Sequence, residues 1–240
     1  MVRRNLLRAL IGIAAADAVM VGGMVQVNAG GVPRVYTRKE WGAAPPKRPP
    51  RLLSRPPDHI IVHHTASPNT GERSQAQAFG LSRQIQRFHM HSRGWDDIGE
   101  QLTIGRGGYV MEGRTGSLEA IQRNGLVVGA QSLHHNEHTL GIENEGTYMK
   151  DDVPGKLWAS LVEVCTWLCT AHDLDPATAI VGHRDYNSTD CPGDTLYRRL
   201  PQLRKEVARA LARNASSAAE ASEESRRGIM LGHWRRPGRR

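Results

Sequence analysis

The chain has 240 residues, with 32 Lys and Arg against 24 Asp and Glu, three Cys and 5% aromatic residues. At 39% hydrophobic and 23% charged, it has the composition of a globular protein that is long enough to bury an ordinary core. This composition excludes a collagen, a multispan membrane protein and a small scaffold held by disulfides.

The formal net charge of +8 is concentrated at the two ends of the chain. Residues 1–30 contribute +2 and residues 214–240 contribute +3, which leaves +3 for everything between them. No dense stripe of Lys and Arg with interleaved aromatic residues occurs, so we expect no nucleic-acid partner.

Residues 1–30 have the organisation of an export signal. Arg3 and Arg4 precede an apolar stretch rich in Gly and Ala, and Ala29 offers a small residue for cleavage. The paired arginines are similar to a twin-arginine signal, which predicts a secreted or cell-wall protein with no stable membrane span after cleavage. The alternatives are an uncleaved anchor, which Asp17 disfavours because a carboxylate is costly inside a bilayer, and an N-terminal helix of the domain.

Residues 31–213 are predicted to form one domain. It opens with a Pro-rich segment over 36–57. Short apolar runs predict strands at 60–62, 126–128, 139–142 and 179–181, with a hairpin over 101–111. Apolar residues at helical spacing predict helices over 74–91, 157–171 and 196–212. We therefore expect an α/β (mixed α+β) fold, with a central mixed β-sheet flanked by helices.

Residues 214–240 lack apolar periodicity and are rich in Ala, Ser, Glu and then Arg. This pattern predicts a disordered basic tail that could touch an anionic surface.

Histidine is the residue type that points to chemistry, because 11 of them occur and several are clustered. His63 follows a predicted strand, and His183 lies eight residues before Cys191. Two His and one Cys could form a three-ligand zinc site with an open fourth position. A single Cys beside Pro-Gly is also typical of a small buried residue, so spacing alone leaves both interpretations open. Cys165 and Cys169, one turn apart on a predicted helix, are expected to be packed thiols.

Six segments occur in an order that resembles the peptidoglycan recognition protein and type 2 N-acetylmuramoyl-L-alanine amidase family. They are 60–66 (IIVHHTA), 94–99 (GWDDIG), 109–114 (YVMEGR), 129–130 (GA), 140–146 (LGIENEG) and 182–193 (GHRD to DCPG). The resemblance extends from about Arg34 to Arg213. It implies a mixed sheet with a groove, zinc as cofactor, and peptidoglycan as substrate, hydrolysed between N-acetylmuramic acid and L-alanine.

The resemblance also implies a metal centre and a general base. His63, His183 and Cys191 correspond to the zinc ligands, and strand alternation directs His64 to the opposite side. Glu143 corresponds to the acid/base of related cytosolic muropeptide amidases, and we expect it to move the protons. Glu145 shares its face but is expected to be a hydrogen-bonding strand residue.

Two departures from the family pattern concern the groove. Glu100 stands where many relatives have a Tyr that assists the reaction, so it is expected to be a second carboxylate beside the substrate, and a role as the base stays open. Gln131 stands where relatives commonly have a His that contacts substrate, and we expect it to bind substrate instead.

Other site residues follow from the same resemblance. Thr189 occupies the place of a donor to the oxyanion or water, with loop capping as the alternative. Asn136, Trp95 and Arg114 are expected to contact substrate, although a framework Arg and a core Trp are equally typical. His134, His135 and His138 are predicted to form an exposed loop beside the groove, with metal binding as a lesser alternative.

Three functions of different class remain open at this point. The first is a zinc amidase, and the second is a non-catalytic module that binds peptidoglycan. The presence of Cys191 argues against the binding-only module, because family members that only bind usually lack the ligand Cys. The replacement of Tyr by Glu100 keeps the binding-only module open. The third is a basic protein that binds nucleic acid or a membrane surface through its tail.

Overall fold

The computed structural model describes residues 31–232, with side chains described for residues 31–223 and Arg226. The predicted export signal and residues 233–240 lie outside the described residues.

The described range contains eight strands and seven α-helices. The strands are β1 (Val35–Tyr36), β2 (Leu52–Leu53), β3 (His59–His64), β4 (Leu102–Ile104), β5 (Val110–Glu112), β6 (Leu126–Val127), β7 (Thr139–Asn144) and β8 (Ile180–Gly182). The helices are α1 (Arg38–Trp41), α2 (Gln75–Arg87), α3 (Ser117–Gln122), α4 (Gly155–His172), α5 (Pro176–Ala179), α6 (Asp194–Arg198) and α7 (Leu200–Gly232). A π-helical turn (Phe88–Ser92) follows α2, and a 3-10 turn (His183–Asp185) follows β8.

Six strands form one mixed sheet in the order β1-β5-β4-β7-β3-β8. Within it β4 and β5 run antiparallel, as the predicted hairpin requires, and the other neighbours run parallel. The strand pair β2 and β6 forms a separate antiparallel ribbon. The predicted mixed sheet flanked by helices is confirmed. Strand β2 was not predicted, because it lies within the Pro-rich segment over 36–57.

The two faces of the sheet are covered by different helices. Ile60 and Val62 of β3 belong to the main core with residues of α4 and α7. Alternation directs His63 to the opposite face. On that face α2 packs over β5, where Ala78 contacts Met111.

Strand register then places three side chains, two of them predicted site residues, in a row across this second face. His63 is paired with Glu143 on β7, and Glu143 is paired with Thr103 on β4. Because paired residues on parallel strands point the same way, these three side chains lie side by side. Residues that are 40 to 80 positions apart in sequence are thus brought into one patch by the backbone hydrogen bonds of the sheet.

The C-terminal helix differs from its prediction. We predicted a helix over 196–212 followed by a disordered tail over 214–240, whereas α7 extends to Gly232. The described side chains from residue 212 to residue 223 are exposed, so this stretch has no apolar stripe to reveal it. Its Ala, Glu and Arg residues favour helix intrinsically, which accounts for the continuation.

No helix among residues 31–232 is both long enough and apolar enough to cross a bilayer.

Candidate active site

Two histidines meet at the edge of the sheet because their strands are parallel neighbours. Val62 on β3 is paired with Gly182, the last residue of β8. His63 follows Val62 and His183 follows Gly182, so the two histidines are neighbours. Their ring centroids lie 4.4 Å apart. Cys191 arrives from the following loop, and its Sγ lies 3.6 Å from His63 Nδ1 and accepts a hydrogen bond of 3.3 Å from the backbone NH of His64. One donor atom from each of His63, His183 and Cys191 lies within 4.8 Å of the others.

Hydrogen bonds to amide oxygens orient both imidazoles. His63 Nε2 lies 2.6 Å from Gln131 Oε1, and His183 Nε2 lies 3.1 Å from Asn187 Oδ1. Because an amide oxygen only accepts, each Nε2 carries the proton and each Nδ1 keeps its lone pair. Histidine ligands of metals are oriented in this way in proteins generally. His64 is turned away, and its Nδ1 accepts from the backbone NH of Tyr148 at 3.3 Å.

The electrostatics of these groups suit a cation. Burial, together with the neighbouring His183, lowers the pKa of His63 to about 3. Burial also lowers the pKa of His183, so both rings are neutral at neutral pH, the form that binds metals. Burial raises the pKa of the Cys191 thiol well above its usual range, and the Glu143 carboxyl adds to the effect. A dication would favour the thiolate by its own charge.

Glu143 provides the observation that tests whether a metal fits. Its side chain is 17% exposed, and Oε1 lies 3.9 Å from His63 Nδ1. Its other oxygen, Oε2, is buried and has no hydrogen-bond partner among the described residues. A buried carboxylate oxygen without a partner is rare and calls for an unseen donor. Two neutral imidazoles, a thiol and this free acceptor fit a zinc ion and a water molecule.

Glu100 forms the second half of a carboxyl pair. Its Oε1 accepts a hydrogen bond of 3.0 Å from the hydroxyl of Thr103, and its Oε2 lies 3.8 Å from His89 Nδ1. Burial raises the pKa of Glu100 to about 7. Burial and the nearby Glu100 raise the pKa of Glu143 well above its usual range. Two carboxyl groups in one buried site disfavour double ionisation, so the pair holds a proton at neutral pH.

The ligands and both carboxyls line one open pocket of about 390 Å³. Trp95 and Thr189 also line it, at the positions predicted to face substrate. Trp95 packs against His89, with 4.5 Å between the ring centroids. Thr189 Oγ1 accepts a hydrogen bond of 3.2 Å from the backbone NH of Cys191, so it caps the ligand loop while its hydroxyl proton stays available to the pocket.

The structure places three predicted substrate contacts differently. Arg114 lines a separate pocket of about 140 Å³, and its Nη1 donates to the Ile98 carbonyl at 3.3 Å. Asn136 Oδ1 accepts from the backbone NH of Gln131 at 2.7 Å, so it shapes the loop. Gln131 lines the site pocket, but its amide is bonded to His63 at one end and to Thr139 at 2.9 Å at the other. All three side chains are thus hydrogen-bonded within the protein, and of the three only Gln131 contacts a proposed ligand.

Some residues of the site were not predicted from the sequence. His89 lines the pocket from the π-helical turn, and its Nδ1 accepts from the backbone NH of Gly99 at 3.1 Å. Burial lowers the pKa of His89 to about 4, which keeps the ring neutral. Asn187 is bonded to His183 and also accepts from the hydroxyl of Ser132 at 2.7 Å. His89 belongs to none of the six segments, and only the richness in histidine pointed toward it. Asn187 lies inside the 182–193 segment, but between its GHRD and DCPG ends, and no role was predicted for it.

Two predicted framework roles are confirmed. Glu145 accepts from the Gln77 side chain at 3.0 Å and from the backbone NH of Arg106 at 2.7 Å, on the side of the sheet that α2 covers. Cys165 and Cys169 are buried free thiols on α4. Neither cysteine is part of the site pocket.

The mixed sheet carries a His-His-Cys donor set beside a carboxyl pair in one open pocket. These features define the class: an α/β protein with a candidate metal site in an open groove. Comparison with known families is specific. The family model described as N-acetylmuramoyl-L-alanine amidase matches residues 53–194. The chain belongs to this family, which confirms the resemblance noted in the sequence.

Individual relatives agree with this assignment. The chain is 34% identical to the N-acetylmuramoyl-L-alanine amidase of Sus scrofa over 195 residues, covering 79% of this chain and 31% of that protein. It is 32% identical to peptidoglycan recognition protein 1 of Bos indicus, covering 70% of this chain and 83% of that protein. The chain thus spans about a third of the length of the mammalian amidases that it matches.

Solved structures have the same fold. Wild-type peptidoglycan recognition protein LB of Drosophila aligns with a TM-score of 0.61 and 28% identity, covering 70% of this chain and 92% of that chain. A second neighbour is peptidoglycan recognition protein LE in complex with tracheal cytotoxin, a monomeric diaminopimelic acid-type peptidoglycan. It aligns with a TM-score of 0.61 and 27% identity, covering 70% of this chain and 92% of that chain.

Proposed function

We propose that this chain is a zinc-dependent N-acetylmuramoyl-L-alanine amidase that hydrolyses peptidoglycan. The observation that carries the proposal is the convergence of His63, His183 and Cys191 beside the unpartnered Oε2 of Glu143. Relatives named as amidases support it, and so does a structural neighbour that binds a peptidoglycan fragment.

His63, His183 and Cys191 would hold the zinc ion through two Nδ1 atoms and one thiolate. When bound, zinc supplies a Lewis acid for the amide carbonyl and lowers the pKa of a water molecule toward 7. Gln131 and Asn187 hold the two imidazoles in the tautomer that presents Nδ1. This support explains why the amide of Gln131 is engaged on both sides.

Glu143 moves the protons in the proposed reaction. It takes a proton from the attacking water, whose oxygen bonds to the lactyl carbonyl carbon of N-acetylmuramic acid. The carbon–nitrogen bond then breaks, and Glu143 delivers the proton to the nitrogen of L-alanine. The second proton of the water passes from the new carboxylic acid to the amine, so the products are a muramic carboxylate and the ammonium group of L-alanine. Glu143 must be ionised at the start of the reaction. Burial raises its pKa, and the positive charge of a bound dication would lower that pKa again.

The other pocket residues take supporting roles. Burial raises the pKa of Glu100 to about 7, so Glu100 holds the proton of the carboxyl pair when Glu143 is ionised. Thr189 is placed to donate its hydroxyl proton to the developing oxyanion, and Trp95 offers a flat apolar surface on which a sugar ring stacks. Arg114 and Asn136 act on the framework around them.

The site of action follows from the substrate. Peptidoglycan lies outside the cytoplasmic membrane, which agrees with the twin-arginine-like signal over residues 1–30. We propose that this signal is removed and that the mature protein acts in the cell wall or medium. Mass spectrometry of the exported protein tests cleavage, and an N-terminus at Met1 would refute it.

Incubation of the purified protein with peptidoglycan, with and without a zinc chelator, tests the enzymatic proposal. We expect new L-alanine amino termini and no new reducing sugars, with the activity lost to the chelator and restored by zinc. Binding to peptidoglycan without turnover would identify the chain as a recognition module instead. New reducing ends would indicate a glycosidase.

A further inference from the structure

A second cluster of imidazole and carboxylate groups lies at the other end of β3 and β7. Asp58 and His59 are located where β3 begins, and His138 directly precedes β7. The pairing of His59 with Thr139 and a hydrogen bond of 2.9 Å from the Asp58 backbone NH to the His138 carbonyl fix these segments together. The cluster is therefore built on the sheet rather than on a free loop.

The three side chains already converge on one point. Asp58 Oδ1 lies 2.8 Å from His59 Nδ1 and 2.9 Å from His138 Nδ1. All three donor atoms lie within 4.8 Å of one another. A metal ion with bonds of about 2.0–2.1 Å in tetrahedral geometry separates its donors by about 3.3 Å, so the cluster needs only a small expansion to enclose one.

Outer groups hold the histidines in place. His138 Nε2 lies 3.1 Å from His135 Nδ1, so a His138 that binds metal through Nδ1 donates its other NH to His135. The ring of Tyr186 packs against His135 at 4.2 Å and against His59 at 5.8 Å between centroids. The side chains of His59 and His138 are 32% and 29% exposed, so a hydrated ion can reach them.

We propose that Asp58, His59 and His138 form a second divalent-metal site, selective for zinc or a similar borderline cation, with His135 orienting His138. Two imidazoles and one carboxylate are typical ligands of zinc and too nitrogen-rich for calcium or magnesium. Water completes the coordination, because the cluster faces solvent.

This site is separate from the catalytic centre. His59 and His63 are four residues apart on the same strand, which puts about 13 Å between them on one face of the sheet. The second site contains no sulfur ligand, whereas the first contains Cys191. The inference does not depend on amidase activity, since metal content is measured without any substrate.

Metal stoichiometry tests the proposal. The full-length protein is stripped with a chelator, dialysed, and titrated with zinc chloride while bound metal is measured by elemental analysis. We expect two zinc ions per wild-type chain and one in each of His59→Ala and His138→Ala. Cys191→Ser is expected to keep one ion, and Cys191→Ser combined with His138→Ala none.

Cobalt chloride distinguishes the two sites by their ligands. A thiolate ligand produces a sulfur-to-cobalt charge-transfer band, so this band is expected in His138→Ala and absent from Cys191→Ser. In Cys191→Ser the remaining cobalt should show ligand-field bands alone. If the double variant Cys191→Ser, His138→Ala lacks these ligand-field bands, the cobalt ion of Cys191→Ser is bound by the cluster of Asp58, His59 and His138.

The matched control is His134→Asn, which removes a third imidazole from the same loop. His134 has φ of 68°, a left-handed conformation that Asn tolerates, so this variant folds without added strain and should keep two ions. Asp58→Asn provides an independent variant that removes a charge without changing shape, and it should bind the second ion at least tenfold more weakly. The proposal is refuted if folded Cys191→Ser binds no zinc, or if His138→Ala and Asp58→Asn bind two ions as tightly as the wild type.

Discussion

Glu143 lies directly opposite His63 in the parallel pairing of β3 with β7, and its Oε1 is 3.9 Å from His63 Nδ1. Strand register therefore sets the relation between the proposed base and a proposed ligand. A slip of one residue would turn Glu143 to the core face, where Ile142 and Asn144 now point. Both groups stand on rigid, paired backbone, which suits a reaction that depends on sub-ångström positioning.

Glu143→Gln should retain zinc and lose hydrolysis. The amide cannot accept and return a proton, and general acid–base catalysis contributes on the order of 10² to 10⁴ in rate. Release of L-alanine amino termini measures the loss, and elemental analysis measures the metal. Glu100→Gln is the matched control and should keep more activity than Glu143→Gln. Full hydrolysis by Glu143→Gln together with loss in Glu100→Gln would reverse the assignment of the two carboxyls.

Cys191→Ser should lose the zinc ion of the catalytic centre. A hydroxyl is far less acidic than a thiol and is a poor zinc ligand, so His63 and His183 would be left as a two-ligand site. The readouts are loss of the cobalt charge-transfer band and of hydrolysis. Cys169→Ala is the control, because Cys169 is a buried free thiol on α4 and lies outside the site pocket. A Cys191→Ser protein with an intact catalytic zinc would show that the ligand set is wrong.

Gln131→Ala should weaken zinc binding at the catalytic centre by about 10- to 100-fold, the usual effect of removing a group that orients a ligand. The change deletes the 2.6 Å bond to His63 Nε2 and leaves that ring free to turn. Competition with a chromophoric chelator measures the affinity. Leu133→Ala is the control, since Leu133 is 67% exposed on the same loop. Equal affinities for the two variants would mean that Gln131 does not position His63.

Glu100→Gln should stabilise the metal-free protein at neutral and alkaline pH. The pKa of Glu100 is raised from 4.5 to about 7 by burial, so folding retains a proton that the unfolded chain loses. The stability that this proton supplies is fully present below pH 4.5 and is lost as the pH rises through 7. Above that range the variant should be more stable than the wild type by about 3 kcal/mol.

Urea unfolding between pH 4 and pH 9, with chelator present, measures this difference. At the acid end the two proteins should be equally stable, because a protonated Glu and a Gln are similar in shape and charge. Glu119→Gln provides the control: the Glu119 side chain is 57% exposed, and its substitution should leave the pH profile unchanged. A constant difference between Glu100→Gln and wild type at all pH values would contradict a raised pKa.

The sequence by itself determined the family, the mixed α/β fold and most of the elements. Apolar runs marked β3, β7 and β8, and helical spacing marked α2 and α4, because burial leaves a periodic pattern in the residues that are buried. The motifs around His63, His183 and Cys191 also identified the three side chains that the structure brings together.

Only the tertiary structure decided what the surrounding residues do. Gln131 and Asn136 were predicted to contact substrate, yet their hydrogen bonds are directed to His63 and to the loop backbone. His89 lies outside every recognised segment, and Asn187 lies between the two recognised ends of the 182–193 segment, so neither was predicted to join the site. The helix after residue 212 has no apolar stripe from which it could be predicted. Gln131 and His63 are 68 residues apart in sequence, so their contact depends on strand register and on the path of the loop. Local sequence patterns contain no record of either.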